Sequence, residues 1–358
     1  MDTERINALL GAGLSYGASD IHFKVGSPPS YRVNGSLRAL RDEVLKPPDT
    51  EAIARHLIGT SPEAPSITEL QEFDTSYSVA GAGRFRVNIY RQRGSLSVVL
   101  RVIKPTVPTL ASLGLSAAIT AFANEERGLV LVTGATGSGK TSTLAAIVNH
   151  INETRPVHIL TIEDPIEYLH RNQVASVSQR EIGIDTNSFK VALRSALRQD
   201  PDVIMVGEMR DIETIDIALK AAETGHMVYS TVHTTDAAKT IARVIAMFPI
   251  EEQESVRSRL AEVLKGTVSQ RLIPRADGKG RVMVAEIMVV TPTIREYIRD
   301  PAKTSGITDA LSKGREKYGM QTFDQHLIAL MRENLITHET AMSAASNQAD
   351  FERAMNFE

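Results

Sequence analysis

The fold is decided by one stretch of eight residues, Gly134-Ala135-Thr136-Gly137-Ser138-Gly139-Lys140-Thr141. It matches the phosphate-binding loop pattern G-x-x-x-x-G-K-[ST] at every constrained position. The apolar run 129–132 before it predicts a buried strand, and residues 141–150 after it predict a helix. Glycines let the backbone turn tightly, and the start of a helix presents free N–H groups to an anion. The stretch, extended by Ser142, therefore predicts a site for a nucleoside triphosphate.

Two side chains of this loop have specific roles in that interpretation. Lys140 would reach the β- and γ-phosphates, and the hydroxyl of Thr141 would hold Mg²⁺. The alternative is a Gly/Ser-rich surface turn. The strand and the helix predicted on either side make that alternative less favoured.

Length and composition narrow the class of protein. The 358 residues suffice for two domains, and 42% hydrophobic with 23% charged residues is ordinary for a globular protein. A net charge of −3 does not suggest nucleic acid or an anionic membrane as the main partner. The absence of cysteine rules out disulfides, cysteine-ligated zinc and a cysteine nucleophile. Without a signal-peptide core or an apolar run of ~18 residues, we expect a cytoplasmic protein that contacts a membrane only through a partner.

Changes of pattern along the chain predict two domains. Residues 1–101 predict a small mixed α/β domain, and 102–114 predict a linker because Pro105 and Pro108 resist both helix and central strand. Residues 115–358 alternate strands with helices, which is typical of a parallel α/β sheet. The elements expected in the first domain are helix 3–13, strand 20–25, a hairpin at 31–38 that turns at Asn34-Gly35, and strands 84–90 and 96–103.

Two further strands are predicted to end in carboxylates. The apolar run 159–162 leads into Glu163 and Asp164. The run 203–206 leads to Glu208 in a Walker-B-like pattern. Ligands lie beyond the carboxyl ends of the strands in an open parallel sheet, so these acids would lie near the phosphates. One acid of the first pair could deprotonate the attacking water, and Glu208 could bind Mg²⁺ directly or through water; the alternative for each is a solvated strand end.

A strand predicted within 225–234 carries two histidines, His226 and His233. Their odd spacing on an extended strand would place them on opposite faces, so we expect different roles. His233, at the carboxyl end, could sense a γ-phosphate, whereas His226 is predicted to be structural. We expect no metal site here, because two ligands on opposite faces cannot share one ion.

Arginine side chains share one face of a strand in the first domain. Alternation in 84–90 turns the apolar side chains inward and Arg84 and Arg86 outward, and Arg101 on the next strand is a candidate third member. Guanidinium groups on one rigid face suit a phosphate or a cluster of carboxylates. The alternative is a solvated basic face.

Residues 189–198 predict an amphipathic helix with an apolar and a cationic stripe. Like charges four residues apart are unfavourable unless something anionic faces them. A subunit interface could supply that anionic partner, and a plain surface stripe is an equal alternative. The apolar stripe comprises Phe189, Leu193 and Leu197, and the cationic stripe comprises Lys190, Arg194 and Arg198.

Taken in order, these segments resemble the secretion-ATPase superfamily of type II and type IV secretion, and within it the PilT-type retraction ATPases of type IV pili. The resemblance covers nearly the whole chain, and unrelated phosphate-loop proteins lack this series. The segments that carry it are ASDIHFKVGSPPSYRVNG (18–35), RFRVN (84–88), GATGSGKT (134–141), ILTIEDPIEY (159–168), RSALRQDPDVIMVGEMRD (194–211) and TGHMVYSTVHTTDAAKTIARV (224–244).

The resemblance implies a PAS-like α+β N-terminal domain, a RecA-like P-loop α/β domain and assembly as a ring-shaped homohexamer. It implies ATP and Mg²⁺ as ligands, Glu163 as catalytic glutamate and Glu208 as Walker B acid. It also implies that His233 lies near the γ-phosphate and that Arg84, Arg86 and Arg101 close over the nucleotide. The implied function is an ATP-hydrolysing motor that powers pilus retraction and twitching motility by pilin disassembly. Such a motor would act on pilin indirectly, through an inner-membrane platform protein at the base of the pilus machine.

The subtype has alternatives. Pilus-assembly and type II secretion motors usually carry extra N-terminal domains and a four-cysteine zinc insertion, which favours retraction for this cysteine-free chain. An accessory, PilU-like motor stays open, because the AIRNLIRE-like motif of PilT-type motors is only partly present at 293–300. Ile294, Arg295, Ile298 and Arg299 match that motif, whereas Thr293, Glu296, Tyr297 and Asp300 differ. Rivals from other classes are a nucleic-acid translocase, a non-hydrolysing regulatory ring and a small-molecule kinase; low aromatic content and negative charge disfavour the first.

Overall fold

The computed structural model describes residues 1–59, 66–103, 106–115 and 117–357. The chain divides into two compact units that are interleaved in sequence. The first unit comprises Met1–Thr106, Asp164–Leu169 and Glu181–Asn187. The second comprises Val107–Glu163, His170–Arg180 and Ser188–Glu358. Of the linker predicted at 102–114, Lys104 and Pro105 lie outside the described residues.

The first unit contains a six-stranded sheet in the order β3-β2-β1-β6-β5-β4, in which neighbouring strands run antiparallel. Its elements are α1 (Thr3–Ser15), β1 (Asp20–Lys24), β2 (Ser30–Val33), β3 (Ser36–Ala39), α2 (Pro47–Ile58), β4 (Glu72–Val79), β5 (Gly83–Gln92) and β6 (Ser95–Ile103).

The hairpin expected in the first unit is confirmed. β2 and β3 pair directly around Asn34 and Gly35, whose φ angles of 49° and 79° are those that a two-residue turn needs. The sequence prediction omitted α2 and β4. The helix buries a stripe on one side, including Ile53 and Leu57, although its Pro47-Pro48 start looks like a loop from the sequence. The strand lies at the sheet edge and is mostly half-buried, so its apolar alternation is weak.

The second unit contains a seven-stranded sheet in the order β13-β12-β7-β11-β10-β8-β9. Its strands are β7 (Gly128–Thr133), β8 (His158–Glu163), β9 (Ser176–Glu181), β10 (Val203–Val206), β11 (Met227–Val232), β12 (Leu264–Pro274) and β13 (Arg281–Val289). Its α-helices are α3 (Ala117–Ala123), α4 (Lys140–Thr154), α5 (Phe189–Ala196), α6 (Ile212–Glu223), α7 (Ala237–Ala246), α8 (Gln253–Val263), α9 (Pro292–Arg299), α10 (Ile307–Lys313), α11 (Arg315–Tyr318), α12 (Phe323–Arg332), α13 (His338–Ala344) and α14 (Gln348–Phe357), with 3₁₀ turns at Ile250–Glu252 and Pro301–Gly306.

The central five strands of this sheet are parallel, as the alternation of strands and helices predicted. β7 is buried at every position and lies between β12 and β11, while β13 adds an antiparallel edge strand. Numbered by chain order, the central strands run 5-1-4-3-2, which is the RecA-like arrangement that the resemblance implied. The mixed α/β fold class is therefore confirmed.

Parallel strands bring their carboxyl ends to one edge of the sheet, and this edge carries the predicted site residues. β7 runs into the phosphate-binding loop, β8 ends at Glu163, and β10 ends just before Gly207. The amide of Gly207 donates to the carbonyl of Ile162 at 2.8 Å, and a Cβ at position 207 would lie 3.3 Å from that same oxygen. Glycine therefore permits the close approach of the two strand ends.

Two secondary-structure expectations for this unit were wrong in detail. The predicted histidine strand is shorter: β11 covers Met227–Val232, so His226 precedes it and His233 follows it. The two histidines therefore lie beyond opposite ends of the strand, and not on opposite faces of it. Helix α5 ends at Ala196, where the chain turns, so Arg198 lies beyond it. An acid of the same chain, Glu213, faces Lys190 as an ion pair, so a subunit interface is not needed to balance that charge.

Candidate active site

The phosphate-binding loop has a backbone that only glycine adopts readily. Gly134, Gly137 and Gly139 have φ angles of 145°, 77° and 94°, all in the left-handed half of φ. A Cβ at position 134 would lie 2.4 Å from the carbonyl oxygen of Gln270 and 2.5 Å from the Ser138 hydroxyl. A side chain is therefore excluded there by both strain and space. Gly139 is the N-cap of α4, so the free N–H groups of that helix open towards the loop.

Lys140 lies folded into this loop. Its ammonium donates to the carbonyl oxygens of Gly134 at 2.9 Å and Ala135 at 3.0 Å, and the residue is 8% exposed. Burial lowers the pKa of Lys140, and the charge of Glu208 partly offsets that effect. The cation is thus already placed among backbone groups that approach a phosphate in loops of this kind.

Gln270 is a site residue that the sequence reasoning missed. It lies on β12, is 1% exposed, and donates from Nε2 to the carbonyl oxygen of Ser138 at 2.8 Å, which ties the loop to the sheet. The buried hydroxyl of Ser138 has no hydrogen-bond partner among the described residues. An unpaired buried donor in a glycine cradle fits a phosphate oxygen as acceptor. No signal in the sequence singled out Gln270, because β12 also carries polar or charged side chains at Lys265, Thr267, Ser269 and Arg271.

Glu163 lies at the end of β8 and is 5% exposed. Its Oε1 accepts hydrogen bonds from Thr161 Oγ1 at 2.7 Å and from Gln179 Nε2 at 3.0 Å. The next residue, Asp164, is exposed. Of the two acids that the strand pattern left open, Glu163 is therefore the one that the fold buries and orients.

Glu208 interacts with two basic side chains. Its carboxylate lies 2.6 Å from Arg210 Nη2 and 3.2 Å from His233 Nε2. Burial alone raises the pKa of Glu208, but the hydrogen bond from Arg210 and the nearby positive charges outweigh it, so the pKa lies below its ordinary value. The structure thus joins the Walker-B-like acid to His233. His226 instead bonds to the carbonyl oxygen of Ala221 at the end of α6, in the structural role expected of it.

The predicted arginine face exists within the first unit, but its members differ. On β5 the apolar side chains are buried and Arg86 is exposed, directly across from Arg101 on β6. Arg84 is mostly buried and pairs with Glu181 at 2.7 Å, a carboxylate that also accepts from the amide of Ile166 at 3.0 Å. Arg84 therefore has a partner within the chain that alternation alone could not reveal.

Arg101 is also engaged, through its Nε at 3.0 Å from the carboxylate of Asp20 on β1. Arg86 and Arg101 line a cavity of about 230 Å³ within the first unit, together with the segment Pro165–Tyr168. The two arginine side chains bring positive charge to the lining, and Glu167 adds a carboxylate to it. The cavity thus has the polar groups of an anion site, with one acid among them.

A family model described as type II/IV secretion system protein matches residues 3–278. This chain belongs to that family. It is a secretion ATPase of the PilT type, as its order of motifs indicated. In the part of the chain that the structure describes, no helix combines the length and the apolar character needed to cross a membrane.

Individual relatives align with almost the full length of this chain. The chain is 45% identical over 346 residues to the type IV pilus retraction ATPase PilT of Pseudomonas aeruginosa, covering 97% of this chain and 99% of the relative. It is 39% identical over 350 residues to the type IV pilus ATPase PilU of the same organism, covering 98% of this chain and 90% of the relative. A crystal structure of the pilus retraction motor PilT with bound ADP superposes with a TM-score of 0.87 at 42% identity, covering 97% of this chain and 99% of that one.

Proposed function

We propose that this ATPase is a hexameric motor that powers retraction of type IV pili. The observation that carries the proposal is the near-complete alignment with a retraction ATPase, at higher identity than with PilU. In this role a ring of six chains acts on an inner-membrane platform protein from the cytoplasmic side. Pilin subunits are then returned to the membrane without touching the motor. Nucleic acid has no part in this function.

ATP binds with its phosphates on the loop 134–142. Backbone N–H groups of the loop and of the first turn of α4 donate to the phosphate oxygens, and Lys140 exchanges its two carbonyl partners for the β- and γ-phosphates. The unpaired hydroxyl of Ser138 donates to the same group. The backbone N–H groups and the Ser138 hydroxyl are in place before ATP arrives, so these donors stabilise developing charge without reorganising.

The residues present fit Mg²⁺. Thr141 lies in the first turn of α4 with its side chain partly exposed, and Glu208 supplies a carboxylate. Hydroxyl, carboxylate and phosphate oxygens are the hard ligands that this cation prefers. When bound, Mg²⁺ would add positive charge at the β- and γ-phosphates. Arg210 and His233 already hold the Glu208 carboxylate, which favours contact with the cation through water.

Glu163 acts as the general base. Its carboxylate takes a proton from the attacking water as the water's oxygen bonds to the γ-phosphorus, and the bond to the bridging oxygen of ADP breaks. Lys140 stabilises the negative charge on the transferred group. His233, bonded to Glu208, senses whether the γ-phosphate is present.

The arginines complete the charge balance of the transferring group. Arg86 and Arg101 supply positive charge from the exposed face of the first unit. Arg84 contributes to the same role beside them. Arg84 would have to leave a mostly buried ion pair with Glu181 to reach a nucleotide, whereas Arg101 is exposed and contacts Asp20 through its Nε. We therefore assign the larger share to Arg86 and Arg101.

A second candidate, an accessory PilU-like motor, is favoured by the partial match at 293–300. The four residues that match the motif all lie in α9, and each has a defined place in the structure. Ile294 and Ile298 of α9 are fully buried, and Arg295 donates to the carbonyl oxygen of Ala261 at 3.1 Å. Arg299 pairs with Glu262. Positions that anchor the helix are thus kept, while the exposed positions Thr293 and Glu296 differ. Exposed positions are the ones that a different partner would contact.

Live imaging of labelled pili separates the two candidates. The wild-type chain and Glu163→Gln are expressed in a host whose own retraction ATPases have been deleted. The proposal predicts that pili shorten with the wild type and not with the variant. An accessory motor would restore shortening only when a second ATPase is also supplied, and that result would overturn the proposal of an autonomous retraction motor.

A further inference from the structure

The carboxylate of Glu163 is held by two donors from the second unit. Thr161 Oγ1 donates to Oε1 at 2.7 Å, and Gln179 Nε2 donates to the same oxygen at 3.0 Å. We propose that Thr161 and Gln179 are positioning residues, which fix this carboxylate in the orientation and the charge state that attack on ATP requires. The inference rests on the proposed role of Glu163 as general base.

The orientation of the Gln179 amide is itself fixed. Its Oε1 accepts the backbone N–H of His170 at 2.8 Å. Because an amide carries its acceptor and its donors on opposite arms, only the NH₂ group can then face Glu163. Gln179 therefore links the backbone at His170 to the side chain of Glu163 through two hydrogen bonds. It lies on β9, which is the neighbour of β8 in the sheet.

Thr161 reaches the same oxygen from within β8. Residues two apart on a strand point to the same face, so the hydroxyl lies beside the Glu163 side chain without any change in the backbone. Thr161 is fully buried and β-branched, which restricts its rotamer. One donor thus comes from the same strand and one from the neighbouring strand, and together they restrict rotation of the carboxylate.

The two hydrogen bonds to the Glu163 carboxylate have a chemical consequence. A hydrogen bond donated to a carboxylate stabilises the ionised form over the acid, and the ionised form is the one that accepts a proton from water. A general base must also lie within hydrogen-bond reach of that proton. Loss of either donor weakens both conditions, and misplacement of a catalytic group by about 1 Å can cost about a hundredfold in rate.

The test uses variants that remove one donor with little change of shape. Thr161→Val and Gln179→Met remove the hydroxyl and the amide, whereas Thr161→Ser keeps the hydroxyl as a conservative rescue. Gln253→Met is a matched control, because it removes the same kind of amide donor elsewhere in the unit, where Gln253 Nε2 donates to the backbone carbonyl oxygen of Phe248 at 2.9 Å. Each protein is checked for mass and for binding of fluorescent ATP before turnover is measured across pH.

We expect kcat of Thr161→Val and Gln179→Met to fall about tenfold to a hundredfold, with KM for ATP within about twofold of wild type. The acid limb of the kcat profile should move to higher pH in both variants. Thr161→Ser and Gln253→Met should keep kcat and the profile of the wild type. If Thr161 and Gln179 only supported the fold, the variants would bind ATP more weakly or be less stable, and the pH profile of kcat would stay unchanged.

Failure of the inference is distinguishable from failure of the proposed function. If Glu163→Gln abolishes turnover while Thr161→Val and Gln179→Met keep wild-type kcat and pH profile, the positioning role is refuted and the general base stands. If Glu163→Gln itself turns over ATP at the wild-type rate, the role of Glu163 as general base is refuted, and the positioning role of Thr161 and Gln179 is refuted with it.

Discussion

Glu286→Gln is expected to change how the stability of the protein depends on pH. Glu286 lies on β13, is 6% exposed, and its Oε1 accepts the amide N–H of Ala237 at 2.8 Å, at the start of α7 and shortly after His233. Burial raises its pKa from the usual 4.5 to about 7, and the bond from Ala237 only partly offsets this. The charged groups that act on it are Asp236 at the N-cap of α7, Lys239 on α7 and Arg271 on β12.

The magnitude follows from the pKa difference between the folded and unfolded chain. Below 4.5 both forms carry the proton, and above about 7 both have lost it. Between those values the unfolded chain ionises while the folded chain keeps its proton, so stability falls as pH rises. At about 1.4 kcal/mol for each step of one in pKa, the total loss is on the order of 3 kcal/mol. Most of that loss falls between about pH 5 and about pH 8.

Glutamine keeps an acceptor for Ala237 but cannot ionise, so Glu286→Gln should lack this component. We would measure urea unfolding of wild type and variant at matched pH values. The wild type should lose about 2 to 3 kcal/mol more than the variant between about pH 5 and about pH 8. Infrared difference spectra should show a protonated carboxyl band that is lost near pH 7 in the wild type only. Parallel stability curves would refute the reasoning, because they would mean that Glu286 ionises alike in both states.

Two further pairs of variants test the loop and the arginine face. Gly134→Ala should abolish ATP binding in a fluorescence titration, because its Cβ would lie under 3 Å from two atoms, whereas Gly137→Ala meets open space and should cost only about 1 kcal/mol of strain. Equal binding by both variants would contradict the close packing of the loop. Arg84→Ala should lower the free energy of unfolding by about 3 kcal/mol, because it leaves buried Glu181 unpaired. Arg86→Ala should change it by less than about 0.5 kcal/mol, and equal losses in the two would refute the distinction.

The sequence was most informative where function and local pattern coincide. The residues of the loop 134–141 are contiguous in the sequence. Apolar runs mark the strands that lead to this loop, to Glu163 and to Glu208. The alternation of strands and helices predicts that these strands pair in parallel. Knowing that parallel strands end on one edge was enough to bring these residues together.

Contacts between distant segments could not be predicted in this way. Gln270 bonds to Ser138 across 132 positions, and Arg84 bonds to Glu181 across 97. Such pairs depend on strand order and register, which a single sequence does not specify. For the same reason alternation assigned Arg84 and Arg86 to one face and treated them as equal, although only Arg84 meets a buried carboxylate. The loop-like Pro-Pro start hid α2, and an edge position weakened the pattern of β4.

The central claim is tested most directly by ATP turnover of the purified protein and of Glu163→Gln, each with its mass determined by light scattering. The account predicts a hexamer whose turnover falls at least about a hundredfold in the variant while ATP binding is retained. Turnover by Glu163→Gln at the wild-type rate would contradict it.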